Sequence, residues 1–146
     1  MHEAGHILAA WLIGGELPQI KFSIAGIKLK YYALAGAAQQ ITVGLAGPFV
    51  NILMGLILYN KKRFALISLG LGVVNLLPVS CLDGGNIFRA ATEKLFLPQT
   101  AYRLNRAVSV ATIILVFALN CAVQLKYGTN ISLAIITVYL VYRTVG

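Results

Sequence analysis

Charge is scarce in this chain. Lys, Arg, Asp and Glu together make up 11 % of its 146 residues, where a soluble domain carries about 25 %. Hydrophobic residues make up 59 %, and mean hydropathy is +0.82. A soluble fold of this size lacks the interior to hide so much apolar surface, so the expected solvent is largely lipid. Acid is scarcer still, limited to Glu3, Glu16, Asp83 and Glu93, and histidine is limited to His2 and His6. Cys81 and Cys121 form no CxxC pair, and no disulfide framework is expected. No basic segment precedes the apolar start, so no cleavable secretory signal is expected. There is no internal repeat and no low-complexity linker, and the length fits one domain over residues 1–146. The formal charge of +8 is scattered in short clusters between apolar runs. That pattern fits headgroup anchoring and excludes nucleic acid as a partner.

Against this background the start of the chain stands out. His2-Glu3-Ala4-Gly5-His6 opens an apolar helix expected to run to about Leu12 or Ile13. At about 100° per residue both imidazoles share one helix face and can ligate one ion. Glu3 lies about 60° from His6, beside the metal position. Two neutral imidazoles suit Zn²⁺, which lowers the pKa of a bound water to about 7, and an adjacent carboxylate can take the proton. The competing account is two core histidines with a glutamate beside them by chance. The helix covers about 20 Å, short of the roughly 30 Å hydrocarbon core. Either the site lies near one end of a half-span, or residues precede Met1.

Gly14-Gly15 ends this helix and Pro18 keeps it from resuming. Phe22 and Ile24, then Ile27, Leu29 and Tyr31, alternate with Lys21, Ser23, Lys28 and Lys30. A two-residue period predicts a hairpin turning at Ala25-Gly26. Its edge could hold an extended substrate by strand addition, or its lysines could simply anchor it at the membrane interface. Ile41 to Tyr59 is long enough to span, with Gly44, Gly47, Pro48 and Gly55 suited to close helix packing and Asn51 able to hydrogen-bond across the gap. Phe64 to Ser80 is a second span, broken at Pro78. Two further apolar runs, about Val108 to Leu125 and Ile131 to Tyr142, carry neither acid nor histidine and read as packing elements.

A catalytic zinc needs a third protein ligand. Asp83 follows the Pro78 break, and a carboxylate at the end of a membrane segment points to function. It could instead cap the helix that carries Arg89, Glu93 and Lys94. Glu16 stands past the glycine break and Glu93 in mid-helix, so Asp83 is the remaining candidate. Cys81 is the thiolate competitor. Gly84-Gly85 favour Asp83 by freeing the backbone to turn its carboxylate, and Cys81 reads as a small packing residue.

Three stretches coincide in order: His2-Glu3-Ala4-Gly5-His6, Gly47-Pro48-Phe49-Val50-Asn51, and Asn75-Leu76-Leu77-Pro78 leading to Leu82-Asp83-Gly84-Gly85. Together they resemble the motifs of the site-2 protease family (peptidase M50) of intramembrane zinc metalloproteases. The resemblance covers about residues 1–90, and the segment from Gly14-Gly15 through the hairpin is similar to the bacterial sporulation branch. It implies His2, His6 and Asp83 as ligands of one zinc and Glu3 as general base. Asn75 would bind the substrate chain or the oxyanion. Gly47, Asn51, Pro78 and Gly84 would be structural. Ser80-Cys81 departs from the pattern, where members often carry apolar residues or proline, and the chain ends at Gly146 without the nucleotide-sensing domain that sporulation members append.

The expected fold is an all-α multi-pass membrane protein with a small β-hairpin at the interface and a broken transmembrane helix carrying Asp83. The motif-bearing core occupies about residues 1–90, and packing helices about 106–145. The expected function is hydrolysis of a peptide bond in or near the membrane segment of a tethered protein. A homo-oligomer or a regulatory membrane partner is compatible with this, and the expected location is the bacterial cytoplasmic membrane. The competing function is a catalytically silent scaffold or chaperone of the same fold, against which the intact Glu3 argues.

Overall fold

The computed structural model describes residues 1–14, 19–23, 26–30 and 36–127, together with 135, 138, 139, 141 and 142. Among the described residues, five helices carry the architecture: α1 (His2–Gly14), α2 (Ala37–Ile57), α3 (Lys62–Asn75), α4 (Asp83–Leu95) and α5 (Pro98–Tyr127). The chain divides into two compact units, Met1–Leu76 and Leu77–Gly146.

In the first unit α1 packs on α2 and α2 on α3. Glycine sets how closely they approach. A Cβ at Gly5 would lie 2.7 Å from the Ala46 carbonyl oxygen and 2.9 Å from Val50 Cγ2, so α1 and α2 meet nearly backbone to backbone. Likewise, a Cβ at Gly72 would lie 2.8 Å from Ile52 Cγ1 and 3.1 Å from the Pro48 carbonyl oxygen, fixing α3 against α2. Small residues of this kind let helices associate in lipid, where no hydrophobic force drives them together. Ala10 and Val43 form the buried seam between α1 and α2, flanked by Ala9 and Ile13. Pro48 sits inside α2 without ending it and is buried.

In the second unit Leu76–Leu82 connects to α4 through tight turns, with Val79 N–H donating to the Leu77 carbonyl (2.8 Å) and Leu82 N–H to that of Val79 (2.8 Å). Val79 is fully buried against Ile113 of α5, with Leu77, Cys81, Leu82 and Val116 around them. Asn105 Nδ2 joins α5 to α4 by donating to Thr92 Oγ1 at 2.7 Å.

Two helices, Ala37–Ile57 and Pro98–Lys126, are long and apolar enough to cross a membrane. Phe49, Leu56 and Ile57 on α2, and Ile114, Leu115 and Phe117 on α5, point outward with more than half of their surface exposed. Apolar side chains in such number suit a lipid surround, not water. The expected span over Phe64 to Ser80 is corrected: α3 has 14 residues, about 21 Å at 1.5 Å each, too short to cross alone. Most of the expected run from Ile131 to Tyr142 lies outside the described residues.

The expected fold class needs two corrections. First, no interfacial hairpin is part of the helical architecture. The backbones of Gln19–Ser23 (β1) and Gly26–Lys30 (β2) pair antiparallel, Phe22 opposite Ile27, but among the described residues neither strand packs on a helix as the helices pack on each other. A lone two-stranded ribbon is marginal by itself, and alternation in sequence reports only local pairing. The turn expected at Ala25-Gly26 lies partly outside the described residues. Second, Asp83 is not carried on a broken transmembrane helix. Helix α3 stops at Asn75, and Asp83 opens α4, a separate helix with a polar face. Pro78 lies between them, where its missing N–H ends one helix without kinking it into the next.

Candidate metal centre

Helix α1 places its two histidines one turn apart, with Glu3 in the first turn, where a carboxylate suits the helix dipole. His6 is 5 % exposed, His2 half-buried and Glu3 exposed. His6 Nδ1 lies 2.7 Å from the Val43 carbonyl oxygen. A carbonyl can only accept, so Nδ1 carries the proton and the neutral ring has its lone pair on Nε2. His2 Nδ1 lies 3.1 Å from the side-chain amide of Asn51, itself 6 % exposed. The two Nε2 atoms stand 3.2 Å apart, with the rings nearly perpendicular at 86°.

That spacing can be tested against an ion. Two nitrogens each about 2.0–2.1 Å from a tetrahedral zinc lie about 3.3 Å apart. The observed pair fits within a tenth of an ångström or so. An outer nitrogen donating to a carbonyl, as in His6, is also what a ligating imidazole requires. Gly47 completes the cradle: a Cβ there would overlap His6 Nε2 and lie 2.6 Å from His6 Cε1 and 2.8 Å from His2 Cε1. Only the residue without a side chain lets both rings rest on α2. The donor set fits the metal.

Gly47 and Asn51, expected as packing residues, therefore touch the histidines directly. Val43, Gly47 and Asn51 recur every fourth residue and present one stripe of α2, which meets His6 at one end and His2 at the other. The signal was in the sequence, because a stripe of period four on α2 mirrors the four-residue step from His2 to His6.

The other expected site residues belong to later elements of the chain. Asn75 is the last residue of α3 and half-buried. Asp83 is the first residue of α4, after Leu82 at the cap position, so it is not the N-cap. Cys81 packs at the edge of the Val79–Ile113 cluster. Gly84 and Gly85 are buried. Gly85 adopts no left-handed φ; its importance is close approach, since a Cβ there would overlap the Val79 carbonyl oxygen and lie 2.9 Å from Ser80 Cα. Sequence reasoning missed Ser109. It is 2 % exposed on α5, and its hydroxyl accepts from Ser80 N–H (3.1 Å), meets Ser80 Oγ (2.8 Å) and reaches the Pro78 carbonyl oxygen (3.3 Å). A serine within an apolar run was the available clue, because a hydroxyl there needs a partner.

Comparisons with known proteins bear on the same elements. The model of peptidase family M50 matches residues 62–119, which hold Asn75, Pro78 and Asp83. Zinc metalloprotease MJ0392 of Methanocaldococcus jannaschii is 29 % identical over 136 residues, covering 82 % of this chain and 40 % of that protein. The solved site-2 protease from Methanocaldococcus jannaschii superposes with a TM-score of 0.69 at 21 % identity, covering 97 % of this chain and 69 % of that one. The family model and the curated relative point to similarity with peptidase family M50. The structural likeness shows a shared helical membrane fold, and the chain spans about two fifths of the curated relative's length. The two candidate spans are in keeping with that fold. The comparisons do not separate branches of the family, and the expected sporulation branch and bacterial source find no support in them.

Proposed function

We propose that this chain is the protease domain of an intramembrane zinc metalloprotease and cleaves a membrane-tethered protein within or beside its membrane segment. The observation that carries the proposal is the His2–His6 pair: two Nε2 atoms at a zinc bite distance, each outer nitrogen engaged, directly flanking Glu3. His2 and His6 would hold one zinc per chain, with Asp83 as the third ligand, a carboxylate suited to a water-activating site. When bound, zinc supplies Lewis acidity toward a peptide carbonyl and its attacking water. Glu3 is the general base. Its exposed carboxylate removes a proton from the attacking water and delivers it to the leaving amine. Asn75, an amide at the end of α3, would hydrogen-bond the substrate chain or the developing oxyanion.

Cleavage of an unwound helical segment would release a soluble fragment, and the bilayer is part of the working environment. More than one pass is proposed from α2 and α5 together. The silent scaffold is not favoured, since it gives Glu3 no task. The deciding experiment co-expresses a membrane-tethered substrate with the wild type or Glu3→Gln. The variant should remain folded and keep zinc while cleaving at least 10²–10⁴-fold more slowly, the range for loss of a general base. Near-wild-type cleavage by the variant would refute the mechanism, and wild type that binds zinc and cleaves nothing would favour the scaffold.

A further inference from the structure

The segment that leads into α4 is gripped by α5 at three consecutive residues. Ser109 Oγ accepts Ser80 N–H at 3.1 Å, lies 2.8 Å from Ser80 Oγ and donates to the Pro78 carbonyl at 3.3 Å. Between those two residues, Val79 is fully buried against Ile113, one turn further along α5. A serine hydroxyl has one proton and two lone pairs. With its proton on the Pro78 carbonyl, one lone pair takes Ser80 N–H and the other takes Ser80 Oγ–H, so its bonding capacity is filled. Ser109 is 2 % exposed, and a hydroxyl buried there without partners would be costly.

The grip is passed on to α4. Leu82 N–H donates to the Val79 carbonyl at 2.8 Å, and Asn86 N–H to that of Leu82 at 3.2 Å. Backbone hydrogen bonds therefore run from the residues held by α5 into the first turn of α4. Gly85 closes the frame from the other side, since a Cβ there would lie 2.9 Å from Ser80 Cα and overlap the Val79 carbonyl oxygen. Asp83 stands inside this frame, between Ser80 and Gly85, and its main chain is thereby fixed relative to α5. The first turn of a helix is otherwise its loose end, and Leu82 supplies no side-chain cap.

A second tether joins the same two helices away from Asp83. Asn105 Nδ2 donates to Thr92 Oγ1 at 2.7 Å, about 13 Å further along α4 at 1.5 Å per residue. It holds α4 to α5 without gripping the segment from Pro78 to Ser80, so it distinguishes helix pairing from placement of the first turn.

We infer that Ser109 is a positioning residue for Asp83: by binding Pro78 and Ser80 through one hydroxyl, it sets where the carboxylate-bearing first turn of α4 stands. The inference rests on Asp83 as the third zinc ligand, and the test separates the two. Full-length chain is titrated with zinc against a chromophoric chelator, as wild type, Ser109→Ala, Ser109→Cys, Asn105→Ala and Asp83→Ala. The visible spectrum of each is recorded with cobalt in place of zinc, alongside its thermal midpoint. Cobalt absorption follows the identity and arrangement of the ligands, which a loss of stability alone does not change.

Ser109→Ala should bind zinc about 10-fold more weakly and alter the cobalt spectrum. Cleavage should slow by up to about 10²-fold, the cost of a misplacement of about 1 Å. Ser109→Cys, close in size but a weaker hydrogen-bonding group, should move both readouts the same way by less. Asn105→Ala should lower the thermal midpoint while keeping the wild-type cobalt spectrum and a zinc affinity within about threefold, as expected of a distant site. Wild type that binds no zinc, or Asp83→Ala that binds it as tightly as wild type, overturns the ligand reading and this inference with it. Where those two behave as expected, a wild-type spectrum and affinity in Ser109→Ala, or equal changes in Asn105→Ala, overturn this inference alone. If Ser109→Ala does not fold, Ser109→Cys is judged by the same two measurements.

Discussion

An alanine at Gly47 would set a methyl carbon 2.6 Å from His6 Cε1 and 2.8 Å from His2 Cε1. Ordinary contact begins near 3.4 Å, so the rings must retreat by about 0.6–0.8 Å. His6 has little freedom to do so, being 5 % exposed and tied to the Val43 carbonyl at 2.7 Å. His2, half-buried, is the ring that can swing aside. Overpacking of this size costs about 1–3 kcal/mol when it cannot be relieved. Moving His2 relieves only its own contact; the closer one, to His6, persists and should lower the thermal midpoint as well. With zinc bound both Nε2 atoms must also stand about 3.3 Å apart, so part of the penalty falls on metal binding. At about 1.4 kcal/mol per factor of ten, zinc affinity should drop by up to about 150-fold.

The assay is competition with a chelator for purified full-length protein, alongside a thermal midpoint without metal. Gly55→Ala is the control. Its Cβ would lie 2.5 Å from Leu69 Cγ and 3.1 Å from the Ala65 carbonyl oxygen, between α2 and α3 and clear of the histidines. It should lower the midpoint and leave zinc affinity within threefold. The reasoning fails if Gly47→Ala binds zinc as tightly as wild type, or if Gly55→Ala weakens zinc binding equally.

Three other outcomes are expected. Asp83→Ala should abolish cleavage and weaken zinc retention while Cys81→Ser does neither; the opposite pattern would move the third ligand to the cysteine. Stripping the metal with a chelator should abolish cleavage and lower the thermal midpoint, since a ligand that binds only the folded state stabilises it; zinc should restore both, and magnesium, which prefers all-oxygen sites, neither. Ser109→Ala removes the partner of Ser80 N–H and Ser80 Oγ, at a cost of about 0.5–1.5 kcal/mol per bond, since Ser80 is itself exposed. Hydrogen exchange at the Ser80 amide should speed up, and unchanged protection there would refute the tether.

How far the fold could be read depended on which force wrote each element. The start of α1, the apolar body of α2 and the helix after Asp83 follow from periodicity and side-chain chemistry, and each is found within a few residues of its expected place. The second span was misjudged because Phe64 to Ser80 is apolar throughout, and composition does not mark where backbone hydrogen bonding stops. The break falls at Asn75, three residues before Pro78, as the restriction on residues preceding proline allows. Helix α5 begins at Pro98, ten residues before the apolar run. Its first turns are polar and packed on α4 through Asn105 and Thr92, and hydropathy cannot see a helix there.

The candidate metal centre was legible in its rare residue types and illegible in their supports, for a physical reason. Donors are rare residue types, and His2, Glu3 and His6 announce themselves in a chain of 146 residues with two histidines and four acids. Supports are common types whose meaning lies in what they face. Gly47 looks like any small residue in an apolar helix until the imidazoles are seen resting on it, and Val43 contributes only a backbone carbonyl, which no side chain advertises. Asn51 lies between these cases. An amide buried in a membrane helix must find a partner, since in hydrocarbon no water replaces one. From the sequence that partner could have been any facing backbone or hydroxyl. Its four-residue step from Gly47 points it instead at the helix that begins with the histidine pair, so a polar residue in register with that pair is better read as part of the candidate site than as part of the packing.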